Sequence, residues 1–321
     1  MMATGHYPVM LEEAVEALAL GSRPAEKVVD ATFGGGGHAR RILQELGPDG
    51  WVIAIDRDPE AAERASRLTE EDRRFTFRPG VYDQVLENLV EDGVRTDAVL
   101  FDLGLSSYQV DEAGRGFSYV REGPLDMRMD RRRGESAADF LNAAEAAEIA
   151  EVLVRYGDVP WGEARRVAGE IVRRRPLETT LELSEAVRSV VGWKERGGNP
   201  AKRVFQAVRI YVNDELGNLE RALHAVERLL VPGGRLVVIT FHSGEDRLVK
   251  HFIHERAGRC VCPPELPVCA CGARPIFHKG VIRRPSTREI EENPRSASGR
   301  LRSAVRTAEP LEADGSLGAP Y

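Results

Sequence analysis

Ala98-Val99-Leu100-Phe101-Asp102-Leu103-Gly104 is an unbroken apolar run closed by an acid and a glycine. With no polar alternation, and entered from the turn-like Gly93 to Asp97, it predicts a strand buried on both faces. An acid at the carboxyl end of such a strand faces the crevice where open α/β sheets bind ligands. The polar stretch that follows, Leu105 to Met129, is too long for an ordinary connection, and loops of that length usually serve function. A pocket with Asp102 in its wall is expected.

Upstream, strands alternate with helices from Lys27 onward, which predicts an α/β fold with a parallel sheet. Strands are expected over Lys27 to Phe33, Trp51 to Ile55, Phe75 to Phe77 and Ala98 to Phe101. Helices are expected over His38 to Leu46, Glu60 to Leu68 and Asp83 to Val90. Between about Asp130 and Gly197 the signals are helical only. Leu141 to Tyr156 is amphipathic, Glu163 to Arg174 stops at Pro176, and Thr179-Thr180-Leu181-Glu182 has capping-box spacing for a helix through Val190.

Asn199-Pro200 opens a helix to about Leu216, and a second covers Leu219 to Leu230. The Pro232-Gly233-Gly234 turn leads into a buried strand, Arg235 to Thr240, then a helix, Glu245 to Ile253. Ile276 to Ile282 and Leu301 to Val305 suit a closing antiparallel pair. The expected organisation is a core in two parts, 1–129 and 199–306, an inserted helical domain at 130–198, and a disordered tail at 307–321.

The length, 321 residues with 42% hydrophobic, suits a globular α/β domain plus a smaller one. No window approaches a membrane span, and Met1 to Pro8 lacks the basic start and apolar core of a secretory signal, so a cytoplasmic protein is expected. A net charge of -6 argues against an indiscriminate nucleic-acid binder. Yet only five of the 45 Lys and Arg residues are Lys, and arginines cluster at 131–133, 165–166, 173–175 and 283–284. A coding bias explains the total; phosphate recognition by the planar guanidinium fork fits the clusters better.

The first strand ends in Asp30-Ala31-Thr32-Phe33, followed by four glycines, Gly34 to Gly37, and His38-Ala39. Glycines between strand and helix let backbone approach a ligand closely. Some twenty residues on, Asp56 ends the second strand, where a carboxylate accepts bonds from ribose hydroxyls. The pattern points to an adenosine-containing cofactor. Gly34-x-Gly36-x-x-Ala39 also satisfies the dinucleotide pattern, so NAD stays open; the third acidic strand end, Asp102, and the late Pro-Gly-Gly turn tilt away from it.

His6-Tyr7-Pro8-Val9-Met10, Asp30 to His38, Ala54 to Asp58, Phe101 to Asp130, Asn199 to Glu215 and Thr240 to Lys250 together resemble the RsmH (MraW) family. Its members methylate the N(4) amine of a cytidine in 16S ribosomal RNA. The most specific stretch is Gly116-Phe117-Ser118 with Gly123-Pro124-Leu125-Asp126-Met127-Arg128-Met129-Asp130. The resemblance implies a class I, Rossmann-like methyltransferase sheet with an inserted helical domain, S-adenosyl-L-methionine as cofactor, and small-subunit rRNA as partner. It implies that Gly36, Gly37 and His38 line the methionine end of the cofactor. Asp56 takes the ribose hydroxyls, Tyr82 packs on the adenine where the family usually has Phe, and Asp102 and Gln109 complete the pocket. Tyr108 stands where the family often has Pro.

Two of these have plain readings besides: His38 as an anchor of the glycine loop, and Tyr82 as core packing. Many amine-directed methyltransferases carry Asn/Asp-Pro-Pro-aromatic at the fourth strand, and Asp102-Leu103-Gly104-Leu105 is not that. Asp102 is therefore read as a cofactor contact, and no catalytic residue is assigned. His242 faces the same crevice, either toward the target base or as a satisfied strand-end residue. Arg203, Gln206 and Arg209 suit a polar wall for RNA phosphates, or a solvated helix face.

All four cysteines fall in Cys260-Val261-Cys262 and Cys269-Ala270-Cys271. Without a secretory signal, metal is the sharper reading than disulfides, although structural zinc usually has two residues between paired cysteines and here there is one. The leading expectation is an rRNA (cytosine N(4))-methyltransferase. Its rivals are an NAD-dependent oxidoreductase and a non-catalytic ribosome-binding protein.

Overall fold

Apolar residues at 11, 14, 15 and 18 give the first helix, α1 (Leu11–Leu18), a single buried stripe. Alternation then begins: β1 (Lys27–Asp30), α2 (Gly37–Glu45), β2 (Trp51–Asp56), α3 (Pro59–Glu71), β3 (Phe75–Pro79), α4 (Tyr82–Glu91) and β4 (Thr96–Asp102). Next come α5 (Ser107–Asp111), α6 (Ala137–Ala143), α7 (Ala146–Gly157), α8 (Trp161–Arg174), α9 (Thr180–Val191) and α10 (Ala201–Asn213). The chain closes with α11 (Glu215–Leu229), β5 (Leu230–Thr240), α12 (Ser243–Arg256), β6 (Phe277–Arg283), α13 (Thr287–Glu292) and β7 (Arg300–Arg306). The computed structural model describes residues 7–21, 23, 25–192, 199–258 and 274–311. The expected metal cluster, Cys260, Cys262, Cys269 and Cys271, lies outside them.

The chain forms two units, one from residues up to Gly104 with those from Asn218 onward, the other Leu105–Gly217. In the first, seven strands run in the order β3-β2-β1-β4-β5-β7-β6. The five from β3 to β5 are parallel, and β7 pairs antiparallel with both β5 and β6. Successive side chains of a strand point to opposite faces, so β4 feeds two cores. Val99 and Phe101 join Val29, Leu236, Val238 and helix α11 on one face. Ala98 and Leu100 join Val28, Val237, Ile239 and helix α1 on the other. A sheet covered on both faces explains why the sequence shows runs rather than alternation.

Two boundaries moved for visible reasons. The first strand ends at Asp30 rather than Phe33, because Ala31 N–H bonds to Leu100 and Phe33 N–H to Ile55, so the chain crosses between neighbours. The Pro-Gly-Gly turn is looped out within β5, where Thr96 pairs with Leu230 but Ala98 pairs with Arg235.

The second unit has its own core, and the expected insertion, 130–198, lies inside it. The structure draws the unit wider because Phe117, Leu125 and Met127 on one side and Val204, Phe205 and Val208 on the other pack with α6 to α9. The expected helix from Leu141 to Tyr156 is two helices. Arg175 donates to the carbonyls of Leu141 and Ala144, and the Asn142 amide pairs both ways with the Leu177 backbone at 2.9 Å. Those partners satisfy the carbonyls that end α6. The Thr179 capping box is present as expected.

The helix from Asn199 ends at Asn213 rather than Leu216, and Asp214 follows in the left-handed region (φ 49°). Buried Asn213 donates to the Met127 carbonyl (2.7 Å) and accepts from the Met129 N–H (2.8 Å). It thus clamps the loop that follows Gly123, in which Met127 holds φ 60°. Asn213→Ala leaves both backbone groups without their partner and is expected to cost about 3 kcal/mol. A denaturant midpoint equal to that of the parent protein would contradict this clamp. Of the expected tail, Thr307 bonds to Pro275 and Ile276, and Leu311 packs on the core. Residues 312–321 lie outside the described residues.

Candidate active site at the strand ends

Three adjacent strands end in acids. Register places Asp30 level with Ala54 of β2 and Leu100 of β4, so Asp56 and Asp102 stand two residues further along on either side. Thr32 ties two of them together: its hydroxyl accepts the Asp102 N–H at 2.6 Å, and its own N–H donates to Asp30 at 3.2 Å. On the other side, Asp56 accepts the N–H of Gly34 at 2.7 Å and of Asp58 at 2.8 Å. A carboxylate has about four acceptor sites, so Asp56 retains capacity for a ligand diol.

The glycine turn is needed first by the fold itself. At Gly36 (φ 78°) a Cβ would sit 2.7 Å from the Phe33 ring; at Gly37 it would sit 2.2 Å from Pro8. Phe33 in turn packs against Phe75 and Phe77 at 5.5 and 5.6 Å between ring centroids. The sequence motif read as space for a ligand is, at these two positions, space for neighbouring rings. Arg64 donates to the Gly34 carbonyl at 3.0 Å and steadies the turn.

Burial dominates the electrostatics. Asp30 is fully buried, and desolvation pushes its carboxyl up to about 7, with Asp56 nearby adding to the rise. Desolvation also raises Asp102 well above the usual carboxylate range, helped by Asp30, Glu245 and Glu289, and raises Asp56. Buried His38 is pushed down to about 4, chiefly by desolvation, and stays neutral. Its Nδ1 lies 3.6 Å from Asp102, beyond hydrogen-bond reach. Asp30 Oδ2, Asp102 Oδ1 and His38 Nε2 are buried without a hydrogen-bond partner among the described residues. Buried polar atoms of this kind ordinarily have partners, so these three are candidate contacts for a bound ligand.

These shifts set opposed pH slopes. Between about pH 4 and 7 the folded chain keeps a proton on Asp30 that the unfolded chain has released, so this group's stabilisation fades as pH rises. His38 acts oppositely: below 6.5 the unfolded chain takes up a proton that the folded chain refuses down to about 4, so stability rises across that window. Asp30→Asn removes only the falling contribution. A plot of melting temperature against pH is expected to slope more steeply upward in this variant than in the parent between pH 4.5 and 7. Parallel plots would refute the assignment.

Tyr82 opens α4 with its ring edge-on to Phe101, 5.5 Å between centroids, so core packing is realised while the residue stays partly buried. Gln109 lies in the other unit, on α5, where its carbonyl accepts the Ser106 N–H at 3.1 Å in a capping box. His242 is the N-cap of α12, its ring 3.1 Å from Glu245, whose carboxylate accepts the Phe241 N–H at 2.7 Å. His242 thus serves as a cap through Nδ1, which accepts the Glu245 N–H, while its buried Nε2 has no hydrogen-bond partner among the described residues. The expected phosphate wall on α10 is not assembled: Arg209 holds Glu215 through two bonds of 2.7 Å and Gln206 faces the Tyr156 carbonyl, leaving Arg203 exposed.

Asp30 was not singled out by the sequence, although it carries the same signal as Asp102, an acid closing a short apolar run. Thr32 gave no signal, since its value lies in a contact across strands, and Glu245 acts locally, in the capping box that opens α12.

Residues 3–307 match the family model described as the MraW methylase family. The chain is 70% identical over 310 residues to the "Ribosomal RNA small subunit methyltransferase H" of Rubrobacter xylanophilus, covering 97% of this chain and 98% of that one. To the protein of the same name from Symbiobacterium thermophilum it is 47% identical over 315 residues, covering 95% and 98%. A third, from Thioalkalivibrio sulfidiphilus, is 49% identical over 314 residues, covering 95% and 98%.

Proposed function

The chain belongs to the MraW methylase family, and from that premise we propose that it methylates small-subunit ribosomal RNA with S-adenosyl-L-methionine. The target is the N(4) amine of a cytidine in 16S rRNA, and the site of action is the cytoplasm, with the ribosomal RNA. The observation that carries the reading is the row of acids at the ends of β1, β2 and β4, with two buried carboxylate oxygens lacking partners. The cofactor, when bound, supplies a methyl group on a cationic sulfonium.

The chain's own residues suit such a ligand. Asp30 and Asp102 offer acceptors to an ammonium group, and Asp56 offers its remaining lone pairs to a ribose diol. The Tyr82 ring, fixed against Phe101, gives the adenine an apolar surface. Gly36, Gly37 and His38 border the methionine end. Methyl transfer is an in-line displacement, so these contacts act mainly by fixing geometry.

The oxidoreductase alternative lacks support from the sheet. A dinucleotide fold repeats its parallel βαβ half beyond the switch point. Here the strands after β5 are antiparallel.

The test is transfer of radiolabelled methyl to small-subunit particles, followed by nucleoside mass spectrometry. N(4)-methylcytidine is expected. No label above a no-enzyme control would defeat the catalytic reading, and label on another atom would defeat the N(4) assignment.

A further inference from the structure

Helix α12 starts at the edge of the crevice. It follows β5 directly, and the Phe241 ring between them lies close enough to Gly104 that a Cβ there would meet it at 3.3 Å. Four side chains of α12 share one face by their spacing: Arg247, Lys250, His251 and His254. The first three are exposed and His254 is half-buried. The row spans about 10 Å at 1.5 Å rise per residue.

It does not stop at the helix end. Lys279 of β6 reaches His254, with Nζ 3.1 Å from Nδ1. His278, Lys279, Arg283 and the adjoining Arg284 are all exposed. Among the acids nearby, Asp246 is engaged by Arg300 and Arg302, and Glu255 pairs with His251 and Arg256. In a chain of net charge -6, a continuous row of basic groups leading from the crevice is a local reversal of sign. Protection of an edge strand accounts for Lys279 and the irregular register of β6, but not for the stripe on α12.

We infer that the α12–β6 stripe is a docking track for the phosphate backbone of the RNA whose target base enters the crevice. The inference rests on the rRNA reading above and adds a surface to it. Phosphate contacts fix position and orientation without reading sequence, which suits a track beside a reaction pocket. The matching chemistry is a row of anions spaced along a flexible strand. Val281 and Ile282, exposed on the same strand, give bases or sugars an apolar footing.

The experiment compares two full-length variants of equal lost charge, Lys250→Gln/Lys279→Gln and Arg165→Gln/Arg166→Gln, the second pair on exposed α8 positions. KM and kcat for small-subunit RNA are measured across a salt series, alongside affinity for S-adenosylhomocysteine and melting temperature. The first variant is expected to raise KM about tenfold and reduce the salt slope of log KM by about 1.5, since each lost phosphate contact removes a little under one unit. Its kcat, cofactor affinity and melting temperature stay near parent values, and the α8 variant keeps KM within twofold.

An unchanged KM and slope in the first variant, or an equal rise in the α8 variant, overturns the track while leaving the rRNA reading intact. So does loss of binding to phosphatidylglycerol vesicles with KM for RNA unchanged, which would mark a lipid surface instead. A parent protein that transfers no methyl to RNA overturns the rRNA reading, and the track with it.

Discussion

Asp56→Ala is expected to weaken S-adenosylhomocysteine binding by about 100-fold or more, measured by calorimetry. Two losses combine. Two ribose hydroxyls lose a charged acceptor, and bonds to charged groups contribute about 1.5–3 kcal/mol each. The N–H groups of Gly34 and Asp58, held at 2.7 and 2.8 Å, also lose their acceptor, so the glycine turn loosens. About 3 kcal/mol in total corresponds to roughly 150-fold in affinity. Asp56→Asn keeps one acceptor and should fall between. Binding within fivefold of the parent in the alanine variant would remove Asp56 from the ligand set.

The second large effect is on stability. Phe101 is fully buried in the centre of the sheet, within the core that α11 covers, and its ring meets the edge of Tyr82. Phe101→Ala is expected to cost about 4 kcal/mol through lost transfer energy and the cavity left behind. Chemical denaturation reads that directly. Because Tyr82 loses the surface that orients it, cofactor affinity should fall as well, by a smaller factor. A cost under about 1 kcal/mol would mean that the site collapses without penalty.

The sequence announced the parallel half of the sheet because β4 and its neighbours are buried on both faces and so read as apolar runs. The acids at their ends were legible for the same reason: a charge closing an apolar run has few places to go. Elements set by tertiary contacts were not legible. The break between α6 and α7 depends on contacts spanning more than thirty positions, Arg175 reaching the Leu141 carbonyl and Asn142 reaching the Leu177 backbone. The end of α10 depends on Asn213 finding the Met127 loop. Short α5 and α13 are held by caps, Ser106 and Ser286, that resemble ordinary loop serines in a sequence. His242 was ambiguous until the helix it caps was in place.

The placement of β4 has a consequence for how the chain is made. Its partner on one side, β1, precedes it, but its other partner, β5, follows the whole of Leu105–Gly217. At roughly 5–20 residues per second, a ribosome needs about 7–28 seconds to deliver that partner. Throughout that interval Ala98 to Phe101 presents an open, apolar strand edge, the kind of surface that recruits other chains. The second unit, which carries its own core, can fold during the delay. The nascent protein is therefore expected to be most aggregation-prone before β5 emerges, and truncations ending within 105–217 should depend on chaperones more than the full chain does.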